Sequence, residues 1–262
     1  MSRATVPRNV HFLDGENNEV LGFWQNGSVT WNQMAEWMHI TITLPSTQFA
    51  VFRCLESGDP QDPVTNHGPS IDLPGNNDAV DPGYYALLSA NGEPLDITIT
   101  EERAIPRSIS YNLSNPDPRW RSGQWSQRIE DDFPDVGDSK IHSVQNGILL
   151  LSHAHTYFDK YMIAINPDDN FKITSFVEDY LGFDGRYMAH SNYPQRYQPL
   201  RSLLKYHFRM AVLCNMKGRG PEYSWDEDIP PGMDPVAEIS NSEEGKLRFE
   251  LIMAERLNSF VE

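Results

Sequence analysis

The residues best suited to chemistry lie in one short stretch, Ser152-His153-Ala154-His155-Thr156-Tyr157-Phe158-Asp159, which follows the apolar run Ile148-Leu149-Leu150-Leu151. Helical spacing puts Leu151, His155 and Asp159 on one face, each four residues from the next. An imidazole one turn from a carboxylate serves one of two ends: it ligates a metal ion with the carboxylate in support, or it is a packed histidine whose ring nitrogen is satisfied locally. The expectation here is the second, a buried His155 bonded to Asp159 or to a backbone carbonyl. His153 and His155 do not form a metal clamp, because helix positions two apart point about 200° away from each other.

Hydrophobic periodicity supplies the elements that must position this stretch. Residues 1–111 read as a β-rich N-terminal unit. Val10-His11-Phe12-Leu13, His39 to Leu44 and Phe49-Ala50-Val51-Phe52 have strand character, and Thr30 is placed to cap a short helix over Trp31 to Met38. Glu56 to Pro82 is rich in Asp, Pro, Gly and Asn and reads as a loop. Tyr84 to Ala90 and Leu95 to Thr100 are expected to form a hairpin about Asn91-Gly92. Residues 112–262 begin with an irregular stretch to Lys140 that carries Trp120 and Trp125. A second hairpin follows the histidines, with Tyr161 to Ile165 and Phe171 to Val177 flanking Asn166-Pro167-Asp168-Asp169. After Pro199, a stripe of Leu203, Leu204, His207, Met210, Ala211 and Cys214 ends at Gly218, and Ser242 to Phe260 reads as a further amphipathic helix. The pattern is that of an α+β fold in one body.

The block Ser143 to Asp159 resembles the Asn-to-second-His half of the fungal HNH nuclease-like family. The opening Val6 to Asp14 and the segment Tyr206 to Met216 are also similar to that family, so the resemblance spans most of the chain. It implies a remnant ββα region. In such nucleases a first His activates water, an Asn orients it, and a helical His helps to hold one divalent metal, duties that metal-assisted phosphodiester hydrolysis requires together. Asn146 matches the Asn and His155 the helical His, with Asp159 one turn on as its buttress. The chain departs from the pattern in the first half: between Thr100 and Lys140 there is no His and no Cys. His142 lies too close to Asn146 to end a separate strand, and His67 and His39 would need long detours.

Charge points the same way. Twenty-one Lys and Arg against 37 Asp and Glu leave a formal net charge of −16, the wrong sign for a polyanion partner. The basic clusters at Arg119 and Arg121, and at Lys217 and Arg219, are islands, and Glu130 to Asp132 and Asp226 to Asp228 read as solvated surface. No phosphate-binding glycine loop and no nucleophile elbow occurs, so nucleotide cofactors and acyl transfer are not indicated. Cys54 and Cys214, the two cysteines, cannot build a disulfide framework or a cysteine zinc knuckle. No secretory signal or membrane-spanning run is visible, so a cytoplasmic protein is expected.

What remains is an aromatic inventory of 6 Trp, 11 Tyr and 12 Phe. Ordinary packing accounts for most of it. A groove relieved of its nuclease role and lined by Trp120, Trp125, Tyr157, Tyr161 and Tyr206 suits an apolar or polyene molecule, and holding such a molecule folded can promote ring closure by orientation. His153, His155 or Tyr157 would then donate a hydrogen bond to a substrate carbonyl. The expected function is a cofactor-free, metal-independent cyclase, pericyclase or isomerase of fungal secondary metabolism acting on an apolar small molecule, with nucleic acid disfavoured. A divergent metal-dependent HNH endonuclease using Asn146, His155 and Asp159, and a non-catalytic binding protein, are the alternatives. Oligomeric state is left open.

Overall fold

β-Branched and aromatic residues at every second position build the first strand, β1 (Val10–Leu13), whose Val10 and Phe12 are buried while His11 points to the opposite face. A computed structural model describes residues 7–44, 49–55, 66–73, 75–102, 104, 129, 140, 143–189, 194 and 197–218. The chain divides into two units, Met1–Pro221 and Glu222–Glu262, the second lying wholly outside the described residues, as does the helix expected over Ser242 to Phe260. In order, the remaining elements are β2 (Glu19–Phe23), α1 (Trp31–Thr41), β3 (Ala50–Cys54), β4 (His67–Ile71), β5 (Gly83–Leu88), a one-turn 3-10 segment (Val144–Asn146), α2 (Ser152–Asp159), β6 (Ile163–Asn166), β7 (Lys172–Ser175) and α3 (Arg201–Met216). The fold is α+β.

Five strands form one sheet in the order β2-β1-β5-β3-β4. Only the central β1–β5 pair is parallel. Its register sets His11 beside Tyr84, and their rings stack with centroids 4.7 Å apart. The inward face (Val10, Phe12, Leu21, Phe23, Val51, Tyr85, Leu87) meets Trp31, Met34, Trp37 and Met38 of α1 and Phe208, Ala211 and Val212 of α3 in the main core. β6 and β7 form a separate hairpin.

Helix α1 starts where its cap dictates. The Thr30 hydroxyl accepts from Gln33 N, and the Gln33 side chain accepts from Thr30 N at 3.1 Å, a reciprocal capping box. The helix runs past Met38, so His39 to Thr41 are helical rather than extended. Thr41 is buried, and its hydroxyl is satisfied by donating back to Trp37 O at 3.0 Å, so tertiary burial overrides the β propensity of the run at no polar cost. The chain becomes extended only at Ile42, which forms an isolated bridge with Ile99.

Two further expectations change. The Asn91-Gly92 turn forms, with Gly92 at φ +80° and Gly92 N donating to Ser89 O at 2.9 Å. Glycine is required there twice over, since a Cβ would also sit 3.3 Å from the His67 ring. The returning residues Leu95 to Thr100 do not pair with β5, however. Pro94 has no N–H to give a ladder, and the segment turns instead to the end of α1, where Thr43 N donates to Thr98 O at 2.9 Å. Conversely, β4 forms inside the stretch read as a loop. Pro69 suits an edge strand, where one face of the backbone needs no partner.

The first and last described elements are joined by Arg8. Its guanidinium donates to Asn215 O at 2.6 Å and to Lys217 O and Gly218 O, the carbonyls that the end of α3 leaves without helical partners, and to Glu19 Oε1 at 2.8 Å. Gly22 makes room: a Cβ there would lie 2.9 Å from both Arg8 Cδ and Glu19 Oε1. Burial pushes the Arg8 pKa down. Burial alone would push the Glu19 carboxyl up, but hydrogen bonds from His11 and Arg8 outweigh it and hold the group below its ordinary value.

Two outcomes follow from these anchors. Thr30→Ala should lower stability by about 1 kcal/mol, read as a lower urea midpoint at unchanged slope. Because the Glu19 carboxyl is depressed in the folded state, its contribution is present above the unfolded value near 4.5 and is lost as pH falls through the lower folded value. Glu19→Gln should therefore flatten the acid limb of a stability-against-pH curve.

Candidate functional site

An eight-residue helix is marginal alone, so α2 is held by what it packs against. Ala154 and Phe158, four apart, are buried in a second cluster with Ile163, Ile165, Phe171 and Leu204. Its N-terminus has no side-chain cap. Its C-terminus is closed by a pair of backbone bonds, Tyr161 N to Phe158 O at 3.1 Å and Met162 N to Tyr157 O at 2.8 Å. That closure puts a left-handed residue at position 161, where glycine is usual and Tyr161 stands at φ +59°.

Helix α3 explains why a tyrosine is tolerated. The Tyr161 ring is buried and lies 4.9 Å from the His207 ring, and its carbonyl accepts from Asn215 Nδ2 at 2.8 Å. His207 stacks on Phe158 with centroids 3.6 Å apart and planes 4° from parallel, and its Nε2 donates to Phe158 O at 2.8 Å. Two hydrogen bonds from buried side chains, together with the stacked His207 ring, therefore lock the end of α2. Sequence reasoning placed His207 in an apolar stripe and did not single out Asn215. The available signal was two hydrogen-bonding side chains on the otherwise apolar face of one helix.

On the outer side of α2, His155 Nε2 lies 3.1 Å from Asp159 Oδ2. The pairing matches one expectation, but burial does not: the His155 side chain is 66% exposed. An exposed i,i+4 pair contributes little to stability, so packing does not explain it. His153 is exposed on another face, its ring 6.5 Å from that of Phe183. Tyr157 is half-buried against the second cluster. Asn146 is half-buried in the 3-10 turn, which is capped by Ser143 and tied to the start of α3 by Leu200 N donating to Gln145 O at 2.8 Å.

The aromatics expected on a common wall are dispersed. Tyr161 and Tyr206 pack with the main core and Tyr157 with the second cluster, while Trp120 and Trp125 lie outside the described residues. Also outside them are most of the residues ahead of Ser143 in the expected ββα region, the basic pair Arg119 and Arg121, Arg219, and the acidic runs at 130–132 and 226–228.

A different apolar surface borders α2. Leu149 is 100% exposed, Leu151 66% and Tyr180 79%, with Leu181 and Tyr187 also open. The loop bearing the last three is braced. Asn26 Nδ2 donates to Ser175 O and Val177 O, its Oδ1 accepts from Asp179 N at 3.0 Å, and Asp184 accepts from Ser175 N and Ser28 N. Tyr180 donates its hydroxyl to Glu178, which raises the phenol pKa.

A divalent cation at α2 would find His155 and Asp159, already bonded to each other. Among the described residues, no group of three or more His, Cys, Asp and Glu is placed to hold a metal ion. No helix among these residues is long and apolar enough to cross a membrane.

The family model for HNH endonuclease matches residues 105–166, under a quarter of the chain. No curated protein and no solved structure matches. The matched segment is HNH-like and contains Asn146, His153, His155, Tyr157 and Asp159. Its histidines are His142, His153 and His155, and it has no cysteine.

The geometry separates two roles. Tyr161→Gly relieves a backbone cost of about 1–2 kcal/mol but deletes a buried ring worth about 3–5 kcal/mol, so a net loss of roughly 2–3 kcal/mol is expected in urea unfolding. His155→Ala should leave stability within about 0.5 kcal/mol of the parent.

Proposed function

We propose that this chain is an HNH-like scaffold that receives an apolar small molecule on the surface beside α2 and promotes its ring closure or isomerisation by orientation. The observation that carries the reading is the set of open apolar side chains around α2: Leu149 and Leu151 lead directly into the helix, and Tyr180 and Leu181 lie on the loop whose Phe183 ring is 6.5 Å from that of His153. Such a surface gains free energy by covering aliphatic or polyene carbon, about 25 cal/mol per Å² removed from water, and gains nothing from a phosphodiester backbone. The net charge of −16 repels that backbone as well.

In this reading the apolar side chains fold the substrate so that its reacting ends come within about 3–3.5 Å. His153 or Tyr157 donates a hydrogen bond to a substrate carbonyl and stabilises the charge that develops on its oxygen. No cofactor is required, and the class expected is a pericyclase or isomerase such as those of secondary metabolism.

The exposed His155–Asp159 pair within the HNH-like segment favours a second reading, a divergent metal-dependent endonuclease.

One set of assays separates them. The full chain is incubated with a linear polyene bearing a conjugated carbonyl, and separately with supercoiled plasmid and Mg²⁺, Mn²⁺ or Zn²⁺. Saturable polyene binding that Leu151→Asp weakens by about tenfold or more, with cyclised product lost in His153→Ala, is the expected result. Metal-dependent nicking abolished by His155→Ala would overturn it in favour of the nuclease. Binding without any product would reduce the protein to a non-catalytic binder.

A further inference from the structure

Three Asn-Gly dipeptides occur in the chain: Asn26-Gly27, Asn91-Gly92 and Asn146-Gly147. Glycine after asparagine leaves the following backbone nitrogen without a neighbouring Cβ, so it is open to react with the asparagine side chain. Reaction requires the side chain to swing its Cγ over that nitrogen. Whatever holds each side chain therefore decides which pair reacts.

Asn26 is held at both ends of its amide, by donation to Ser175 O at 3.1 Å and Val177 O at 2.9 Å and by acceptance from Asp179 N at 3.0 Å. Asn146 is half-buried in the 3-10 turn, which Ser143 and Leu200 brace from either side. Asn91 is exposed at the tip of the turn after β5, and no hydrogen bond to its side chain occurs among the described residues. The turn is closed by Gly92 N donating to Ser89 O and Glu93 N donating to Ser89 Oγ at 3.1 Å, with Ser89 N donating to Glu93 O at 2.9 Å, and none of these bonds holds the Asn91 side chain.

We infer that Asn91 is a site of spontaneous covalent modification in the folded protein, converting to a mixture of aspartate and isoaspartate while Asn26 and Asn146 stay intact. Gly92 N attacks Asn91 Cγ, forming a new C–N bond. The side-chain nitrogen leaves as ammonia with the proton given up by Gly92, producing a five-membered imide. Water then opens the ring at the side-chain carbonyl, giving aspartate, or at the backbone carbonyl, giving isoaspartate, in which the chain continues through the side-chain carbonyl. The net change consumes one water, releases one ammonia and adds one negative charge. In the isoaspartate form an extra methylene enters the backbone of the turn that leads to Ile99 and its bridge with Ile42.

The test is peptide mapping by mass spectrometry of the full chain aged at neutral and at mildly alkaline pH, with isoaspartyl methyltransferase as an independent probe. Asn91→Asp is the reference for the acid product. The same chain held in denaturant shows how the three sites behave without the fold. In denaturant all three should convert at comparable rates. In the folded chain Asn91 should convert first, and Asn26 on the order of a hundredfold more slowly, since each of its three hydrogen bonds is worth roughly fivefold in opening. Asn26 or Asn146 converting as fast as Asn91 in the folded chain would overturn the inference. So would an Asn91 that stays an amide under conditions where the denatured chain loses it.

Discussion

Backbone carbonyls at the ends of short elements must find donors, and among the described residues side chains of α3 and Arg8 supply several of them. His207 supplies the end of α2, Asn215 supplies Tyr161, and the carbonyls at the end of α3 itself are taken by Arg8 from the opposite end of the chain. At the other end of the helix, Leu200 N reaches back to Gln145 O. An apolar helix of the same shape would bury as much surface but would give up the side-chain donors to Phe158 O and Tyr161 O, at a cost of about 1 kcal/mol each. His207 and Asn215 on the buried face of α3 therefore fix the end of α2, and the backbone N–H of Leu200 ties down the 3-10 turn ahead of it.

That constraint gives α2 its two-sided character. Inward, Phe158 and Ala154 are immobilised by packing and by the stacked His207 ring. Outward, His153, His155 and Thr156 face solvent on a helix too short to stand without the inner contacts. A strained left-handed tyrosine at the helix end persists because burial of its ring outweighs the backbone cost. The outer face is thus presented by a rigid mount, and the neighbouring loop with Tyr180 and Tyr187 is braced separately, by the side-chain bonds of Asn26, Asp179 and Asp184.

Electrostatics divides along the same lines. The pair buried at the edge of the main sheet, Arg8 with Glu19, is stabilised by several hydrogen bonds and responds to acid. The pairs on the hairpin side, such as Asp168 with Lys205 and Arg201, are exposed and contribute little beyond solubility.

Elements with strong local signals were legible without coordinates: the Thr30 cap, the 3.6-residue stripe of α3, the hairpin about Asn166-Pro167 and the i,i+4 pairing of His155 with Asp159 all follow from side-chain period and cap chemistry that act within one turn. What could not be read locally was decided by partners distant in sequence. His39 to Thr41 stayed helical because Thr41 was buried, β4 formed because β3 offered an unpaired edge, and Leu95 to Thr100 left its expected partner for the end of α1. The exposure of His155 belongs to this second group, since helical spacing states which residues share a face but not whether that face meets the core or water. Only the packing of Phe158 against α3 chose between them.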